Sequence, residues 1–113
     1  MSKSKAVTTF PAPKFEAFQD DIIKLSEVVQ NAICTVDQHD LIWAASKIYL
    51  VVGGHSAIEY PVTDANTQHP IPVPRHLLER YENQGTIDVW YYVIYRGVEH
   101  RGSSENLTVS VVS

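Results

Sequence analysis

The residue types that could hold a metal or polarise a substrate lie together in one polar turn. Asp37, His39 and Asp40 follow an apolar run at residues 32–36 and supply two carboxylates and one imidazole. Calcium loops need more carboxylates and a turn glycine, and zinc sites need three or four converging ligands. We therefore predict a solvated turn without a metal, in which Asp37 and His39 are polar groups available for binding.

No arrangement in the sequence matches a catalytic pattern. Ser56 follows His55 directly, but a nucleophile and its base are brought together by folding rather than by adjacency in the chain. A nucleophile elbow, a P-loop, a zinc-protease helix and a dinucleotide-binding glycine pattern are all missing from the sequence. The single cysteine, Cys34, lies in the apolar run and is expected to be a small buried hydrophobe. We expect no catalytic residue and no cofactor.

The strongest functional signal is an aromatic strand predicted at residues 86–95. Asp88 should avoid burial without a partner, so we assign it to the solvent side. Alternation then gives Trp90, Tyr92 and Ile94 the same outer face. The helix at 74–81 or the N-terminal segment can cover this row; left exposed, it marks a contact surface for another protein and can also stack on sugar rings.

The inner side of this strand is predicted to fill the core. Tyr91 stands where sandwich domains often place a tyrosine whose hydroxyl ties a neighbouring loop. Trp90 and Tyr92 are therefore read as contact residues and Tyr91 as a structural residue. The full inward set is Ile87, Val89, Tyr91, Val93 and Tyr95.

The first third of the chain is compatible with two patterns of elements. Two prolines make residues 10–13 an extended lead-in. Over residues 15–36 we favour two strands, near 21–25 and 29–36, because β-branched residues precede a polar turn. A helix over 15–28 is the alternative, since the apolar spacing in that range is also compatible with one helical face.

The remaining elements follow clearer signals. Residues 47–52 form a strand with alternate positions buried, and residues 57–62 form another, in which Pro61 indicates an edge. A polar loop is predicted over 63–72, and a short helix over 74–81. The strand at 86–95 then turns through residues 96–104 and returns as an alternating strand at 105–112, which predicts a long antiparallel hairpin. About seven strands at regular spacing predict two antiparallel sheets packed face to face.

Composition narrows the classes of partner. The net charge is −4 with no basic stripe, so we predict no nucleic-acid partner. No run of 18 apolar residues exists, so no membrane span is expected. The N-terminus lacks the apolar core of a secretory signal, which predicts a cytoplasmic protein or export by a route without a cleaved signal.

The order of these motifs resembles the immunoglobulin-like modules of large surface and secreted proteins of pseudomonads and related Gram-negative bacteria. The best-matching part is residues 71–112. The resemblance implies an all-β immunoglobulin-like sandwich of about seven antiparallel strands with one short helix, used for adhesion, display or spacing. Such modules usually occur in tandem, whereas one copy is present here, which favours a free-standing binder. The motifs that carry the resemblance are residues 10–13, Gly53 and Gly54, residues 71–74, Gly85, the alternating residues 89–93, and residues 104–111.

The sequence therefore predicts a flexible segment at residues 1–9 and one sandwich domain at 10–113. Its expected function is non-catalytic binding of another protein through Trp90, Tyr92 and Ile94. The alternative is a small lectin that adds polar groups such as Asp37 and His39 to the aromatic row. Exposed sheet edges favour self-association, so a homo-oligomer is a further expectation.

Overall fold

The computed structural model describes residues 8–54 and 57–113. Within these ranges the chain is mainly β, with nine strands, one 3-10 turn and one short α-helix. His55 and Ser56, weighed above as a catalytic pair, lie outside the described residues. In chain order the elements are β1 (Thr8–Phe10), β2 (Ile22–Lys24), the 3-10 turn (Leu25–Glu27), β3 (Asn31–Val36), β4 (Ser46–Val52), β5 (Ile58–Pro61), β6 (His69–Pro74), α1 (Arg75–Glu79), β7 (Thr86–Tyr95), β8 (Glu99–Ser104) and β9 (Leu107–Val112).

The strands form two sheets of unequal size. Five strands of the larger, seven-stranded sheet lie in the order β1, β8, β7, β4, β5. β9 pairs with the first half of β7, and β2 pairs with β9. The smaller sheet is the antiparallel pair of β3 and β6.

The expectation of about seven strands in purely antiparallel sheets is wrong. β1 runs parallel to β8, and β2 runs parallel to β9. Parallel partners need a long connection between them, and here most of the chain separates each N-terminal strand from its C-terminal partner. The mainly β class and the single short helix are confirmed, and the larger sheet is mixed.

One core cluster contains residues of both sheets. The predicted alternation is confirmed in β4 and β7, where every second side chain from Ile48 and from Ile87 is buried as far as Val52 and Val93. Tyr95, predicted to point inward, is half-buried at the end of β7. The smaller sheet contributes Ala32, Cys34, Val36, Ile71 and Val73 to the same core.

β6 corrects the prediction of a loop over 63–72. Three prolines made this segment look unlike a strand, yet His69, Ile71 and Val73 are buried along one face of it. The prolines occupy the alternate positions, where no N–H is required on the side of β3. Thr35 lies opposite Pro70 and turns its own N–H and C=O to Lys14 instead, at 2.7 and 3.0 Å.

The alternative of a helix over 15–28 is also wrong. Asp20 and Asp21 have φ angles of 57° and 56°, which an α-helix does not accommodate. The favoured strands are found at β2 and β3, joined by the 3-10 turn. The guanidinium of Arg75, at the start of α1, donates hydrogen bonds to the carbonyls of Leu25 and Val28 and fixes this connection.

The return arm of the predicted hairpin begins earlier than expected. Only residues 96–98 turn, and β8 occupies most of the range assigned to the turn. β8 pairs with the second half of β7 and β9 with the first half, so the arm is one strand interrupted near Glu105. At the interruption, the N–H of Tyr91 donates to Ser104 Oγ at 2.9 Å.

The ends of the predicted elements shift by a few residues. α1 is shorter than the predicted helix at 74–81, and Pro74 directly precedes it. β5 is an edge strand, as Pro61 indicated. β1 begins at Thr8, two residues before the predicted start of the domain. No helix in residues 8–54 or 57–113 is long and apolar enough to cross a membrane.

Gly102 permits the close approach of β1 to β8. A Cβ at this position would lie 1.9 Å from the carbonyl oxygen of Thr8, and the φ angle is +143°. We expect Gly102→Ala to lower the free energy of unfolding by about 3 kcal/mol in urea denaturation, because overpacking and backbone strain add. Gly85→Ala, also at positive φ but facing open space, should cost only about 1 kcal/mol. Equal losses would contradict the contact with Thr8.

Burial of His69 makes stability depend on pH. Its side chain is 2% exposed, its Nε2 has no hydrogen-bond partner, and burial lowers its pKa below the ordinary 6.5. The unfolded chain therefore takes up a proton at a higher pH than the folded chain does. We expect the free energy of unfolding to fall as pH decreases through 6.5, and His69→Leu to flatten this slope. An unchanged slope in the variant would assign the pH dependence to other groups.

Candidate functional site

The outer face of β7 carries the three predicted contact residues. Trp90, Tyr92 and Ile94 are half-buried on the side opposite the core. β4 adds Tyr49 directly opposite Tyr92 and Val51 directly opposite Trp90. The sequence prediction brought the β7 residues together correctly but did not identify their neighbours from β4.

Four rings on this surface contact one another. Tyr49 and Tyr92 are stacked, with centroids 5.0 Å apart and planes 11° from parallel. His100 stacks against Tyr92 at 6.0 Å and 9°, and Trp90 packs beside Tyr92 at 5.8 Å. Because β7 lies between β4 and β8, Tyr49 and His100 flank Tyr92 from opposite sides. We call Tyr49, Trp90, Tyr92, Ile94 and His100 the aromatic face.

A charged pair borders the aromatic face on the side of β5. Lys47 Nζ lies 2.9 Å from Glu59 Oε2, and the Tyr49 hydroxyl donates to the same oxygen at 3.2 Å. The hydrogen bond between Lys47 and Glu59 raises the pKa of Lys47 and lowers the pKa of Glu59. Both groups stay charged at neutral pH, so this border is polar and close to neutral overall.

The sheet register orders these groups in a row across five strands. From β1 to β5 the row contains Thr9, Ser103, Tyr92, Tyr49 and Glu59. Its centre is aromatic and its two ends are polar. The polar groups at the two ends of the row thus border the aromatic residues along the direction across the strands.

The structure places Asp37 and His39 elsewhere. Asp37, just after β3, pairs with Lys14 Nζ at 3.0 Å and accepts a hydrogen bond from Gln68 Nε2 at 3.1 Å. His39 Nδ1 accepts the N–H of Leu41, and its ring packs edge-on against Phe10. Both side chains stabilise the loop between β3 and β4 and do not extend the aromatic face.

The predicted role of Tyr91 is confirmed. Its hydroxyl donates to the carbonyl of Pro11 at 2.9 Å and so ties the lead-in to β7. Burial raises the pKa of Tyr91 well above its usual range. Burial also raises the pKa of Cys34 to about 12, so its thiol stays protonated and unreactive at neutral pH.

Sequence reasoning missed a second aromatic cluster near the turn between β7 and β8. Trp43 is 40% exposed and packs edge to face with Tyr95 at 5.1 Å. The guanidinium of Arg101 lies 4.0 Å above the Trp43 ring, and that of Arg96 lies 5.4 Å from the Tyr95 ring. We call these four residues the hairpin-end cluster. Trp43 is far from the other three members in sequence, and only an isolated tryptophan in a loop could have drawn attention to the cluster.

A shallow cleft of about 380 Å³ lies at the loop before β2. Phe18 and Ile22 form its apolar part, and Asp20, Lys24 and Glu27 supply charges of both signs. These residues lie in β2 and on either side of it, and β2 is separated from β7 by β9 in the sheet. The cleft is therefore separate from the aromatic face.

The stack of Tyr49 and Tyr92 should be measurable as an interaction energy. Stacked cross-strand aromatic pairs contribute beyond their separate burial. In a double-mutant cycle with Tyr49→Ala and Tyr92→Ala, we expect a coupling of about 0.5–1 kcal/mol in the free energy of unfolding. Tyr92→Ala combined with the remote Val29→Ala should be additive. Additivity in both cycles would show that the rings do not stack in solution.

Comparison with known proteins gave no relative for this chain: no protein-family model, no curated protein and no solved structure matches it.

Proposed function

We propose that this chain is a non-catalytic binding module of immunoglobulin-like type that contacts another protein through the aromatic face. The observation that carries the proposal is the row of stacked rings on the side of the larger sheet that faces away from the core. α1 packs against β6 and the 3-10 turn rather than on these rings. A half-exposed surface of this composition is costly to leave in water, and a partner relieves that cost.

Two features support the immunoglobulin-like part of the proposal. Two sheets pack around one core, and a buried tyrosine ties a neighbouring segment through its hydroxyl, as sandwich domains of this type often do. The core contains one free cysteine, Cys34, so packing takes the place of the disulfide found in antibody domains.

The residue types favour a protein partner. Tryptophan and tyrosine dominate the contact energy of protein interfaces because they offer large areas with few rotatable bonds. Here Tyr92 is held between Tyr49 and His100, and the Tyr49 hydroxyl is fixed by Glu59. Side chains that are already ordered lose little entropy on binding.

The same stacking weighs against the carbohydrate alternative. A sugar ring needs the open face of an aromatic ring, but the two faces of Tyr92 lie against Tyr49 and His100. The polar groups proposed to assist a lectin, Asp37 and His39, are engaged in the loop after β3. The Tyr92 hydroxyl suits hydrogen bonding to a protein, whereas the Tyr49 hydroxyl is already bound to Glu59.

Capture with matched variants tests the proposal. The wild-type chain, a Trp90→Ala/Tyr92→Ala variant and a Val29→Ala control are immobilised and exposed to extract of the source organism. Val29 is a suitable control because it is 88% exposed and lies before β3 in the smaller sheet. Benzoylphenylalanine at position 94, or at position 29 as a control, then links any bound protein covalently.

We expect a protein that the wild type and the Val29→Ala variant retain and that the double variant loses, with photo-crosslinks formed from position 94 only. Retention of the same proteins by all three chains would overturn the assignment of the aromatic face. A glycan array that gives a signal lost on Trp90→Ala would instead support the lectin. Capture of the chain itself would identify the partner as a second copy.

A further inference from the structure

The turn between β7 and β8 contains an arginine at a position that usually carries another residue type. The N–H of Val98 donates to the carbonyl of Tyr95 at 3.2 Å, which closes a turn with two central residues. Arg96 and Gly97 have φ angles of +53° and +77°, the signature of a type I′ turn. The first position of such a turn strongly prefers asparagine, aspartate or glycine. Arginine here is a local departure from the best turn sequence, and such departures concentrate at functional positions.

The Arg96 side chain is positioned without being neutralised. Its Nε donates to the Tyr95 hydroxyl at 3.1 Å, and its guanidinium lies 5.4 Å from the Tyr95 ring. Within residues 8–54 and 57–113, Arg96 forms no ion pair, whereas Arg101 pairs with Glu99. The outer nitrogens of the Arg96 guanidinium are therefore held in place and free to bind an anion.

An apolar surface lies in the same cluster. The Trp43 indole N–H donates to the carbonyl of Asp40 at 2.7 Å, and Arg101 covers the ring at 4.0 Å. Trp43 nevertheless remains 40% exposed, and Val98 at the turn is 86% exposed. Trp43 and the unpaired Arg96 guanidinium both contact the Tyr95 ring, and tryptophan and arginine are residue types that dominate protein contacts.

We propose that the hairpin-end cluster binds a carboxylate next to an apolar side chain on a partner protein. The carboxylate accepts hydrogen bonds from the Arg96 guanidinium, in the planar geometry that arginine offers. The apolar group packs on Trp43 and Val98. Charge complementarity selects the carboxylate, since Arg96 is the member of the cluster whose charge is not balanced within the described chain. The site shares no residue with the aromatic face and stands independently of the proposed function.

A small probe pair isolates this chemistry. Phenylacetate contains a carboxylate and an apolar ring, and phenylacetamide replaces the carboxylate with an uncharged amide of nearly the same shape. Each is titrated into the ¹⁵N-labelled chain while the Trp43 indole N–H and the Arg96 Nε–H are followed by NMR. A ligand of this size is expected to bind with a Kd on the order of 10 mM.

Arg96→Asn provides a variant whose folding is expected to improve. Asparagine suits the left-handed turn position, so the midpoint of thermal unfolding should rise by about 2 °C or more. The same variant should abolish the response of Trp43 to phenylacetate. Lys24→Asn removes the same charge from a distant strand and should leave the titration unchanged.

The proposal is supported if phenylacetate shifts both signals, phenylacetamide shifts them at least tenfold more weakly, and Arg96→Asn loses the response while remaining folded. It fails if neither probe shifts the signals, if both probes act equally, or if Arg96→Asn responds as the wild type does. A response lost equally in Lys24→Asn would show a general charge effect and would also overturn it.

Discussion

The burial of Tyr91 is the constraint on which the rest of the structure depends. Its ring is buried in the core near Phe10, its N–H donates to Ser104, and its hydroxyl donates to Pro11. Tyr91 thus pairs its own N–H at the interruption between β8 and β9. Through its hydroxyl it also holds the N-terminal lead-in, residues 10–13, against β7. A polar group buried at this depth must be paired, and each of these bonds also joins two distant parts of the chain.

In β7, the burial of Tyr91 determines which side chains lie on the outer surface. Successive side chains of a strand point to opposite faces, so fixing Tyr91 inside fixes Trp90 and Tyr92 outside. The register with β4 then sets Tyr49 against Tyr92. The geometry of the aromatic face is therefore a consequence of core packing, and its outer residues can vary without disturbing the interior.

The local sequence pattern predicted the strands whose side chains alternate between the core and the outer face. β4 and β7 were located closely, and the outer positions of Trp90, Tyr92 and Ile94 followed from parity alone. β6 was not predicted because it contains three prolines, which lack the N–H donor that a strand normally supplies. The sequence does not show that these positions face the side of the strand where no partner needs a donor. The parallel partners of β1 and β2, and the approach of Trp43 to Arg101, depend on contacts between distant segments. No local rule contains that information.

The prolines of β6 have a consequence for how the chain behaves among its own copies during synthesis. Pro70, Pro72 and Pro74 leave the free border of the smaller sheet without amide donors. Nascent chains on one polysome emerge close together, and the unpaired strand edges of incomplete sheets tend to pair with one another. A border that offers carbonyl acceptors but no N–H donors is a poorer template for such pairing.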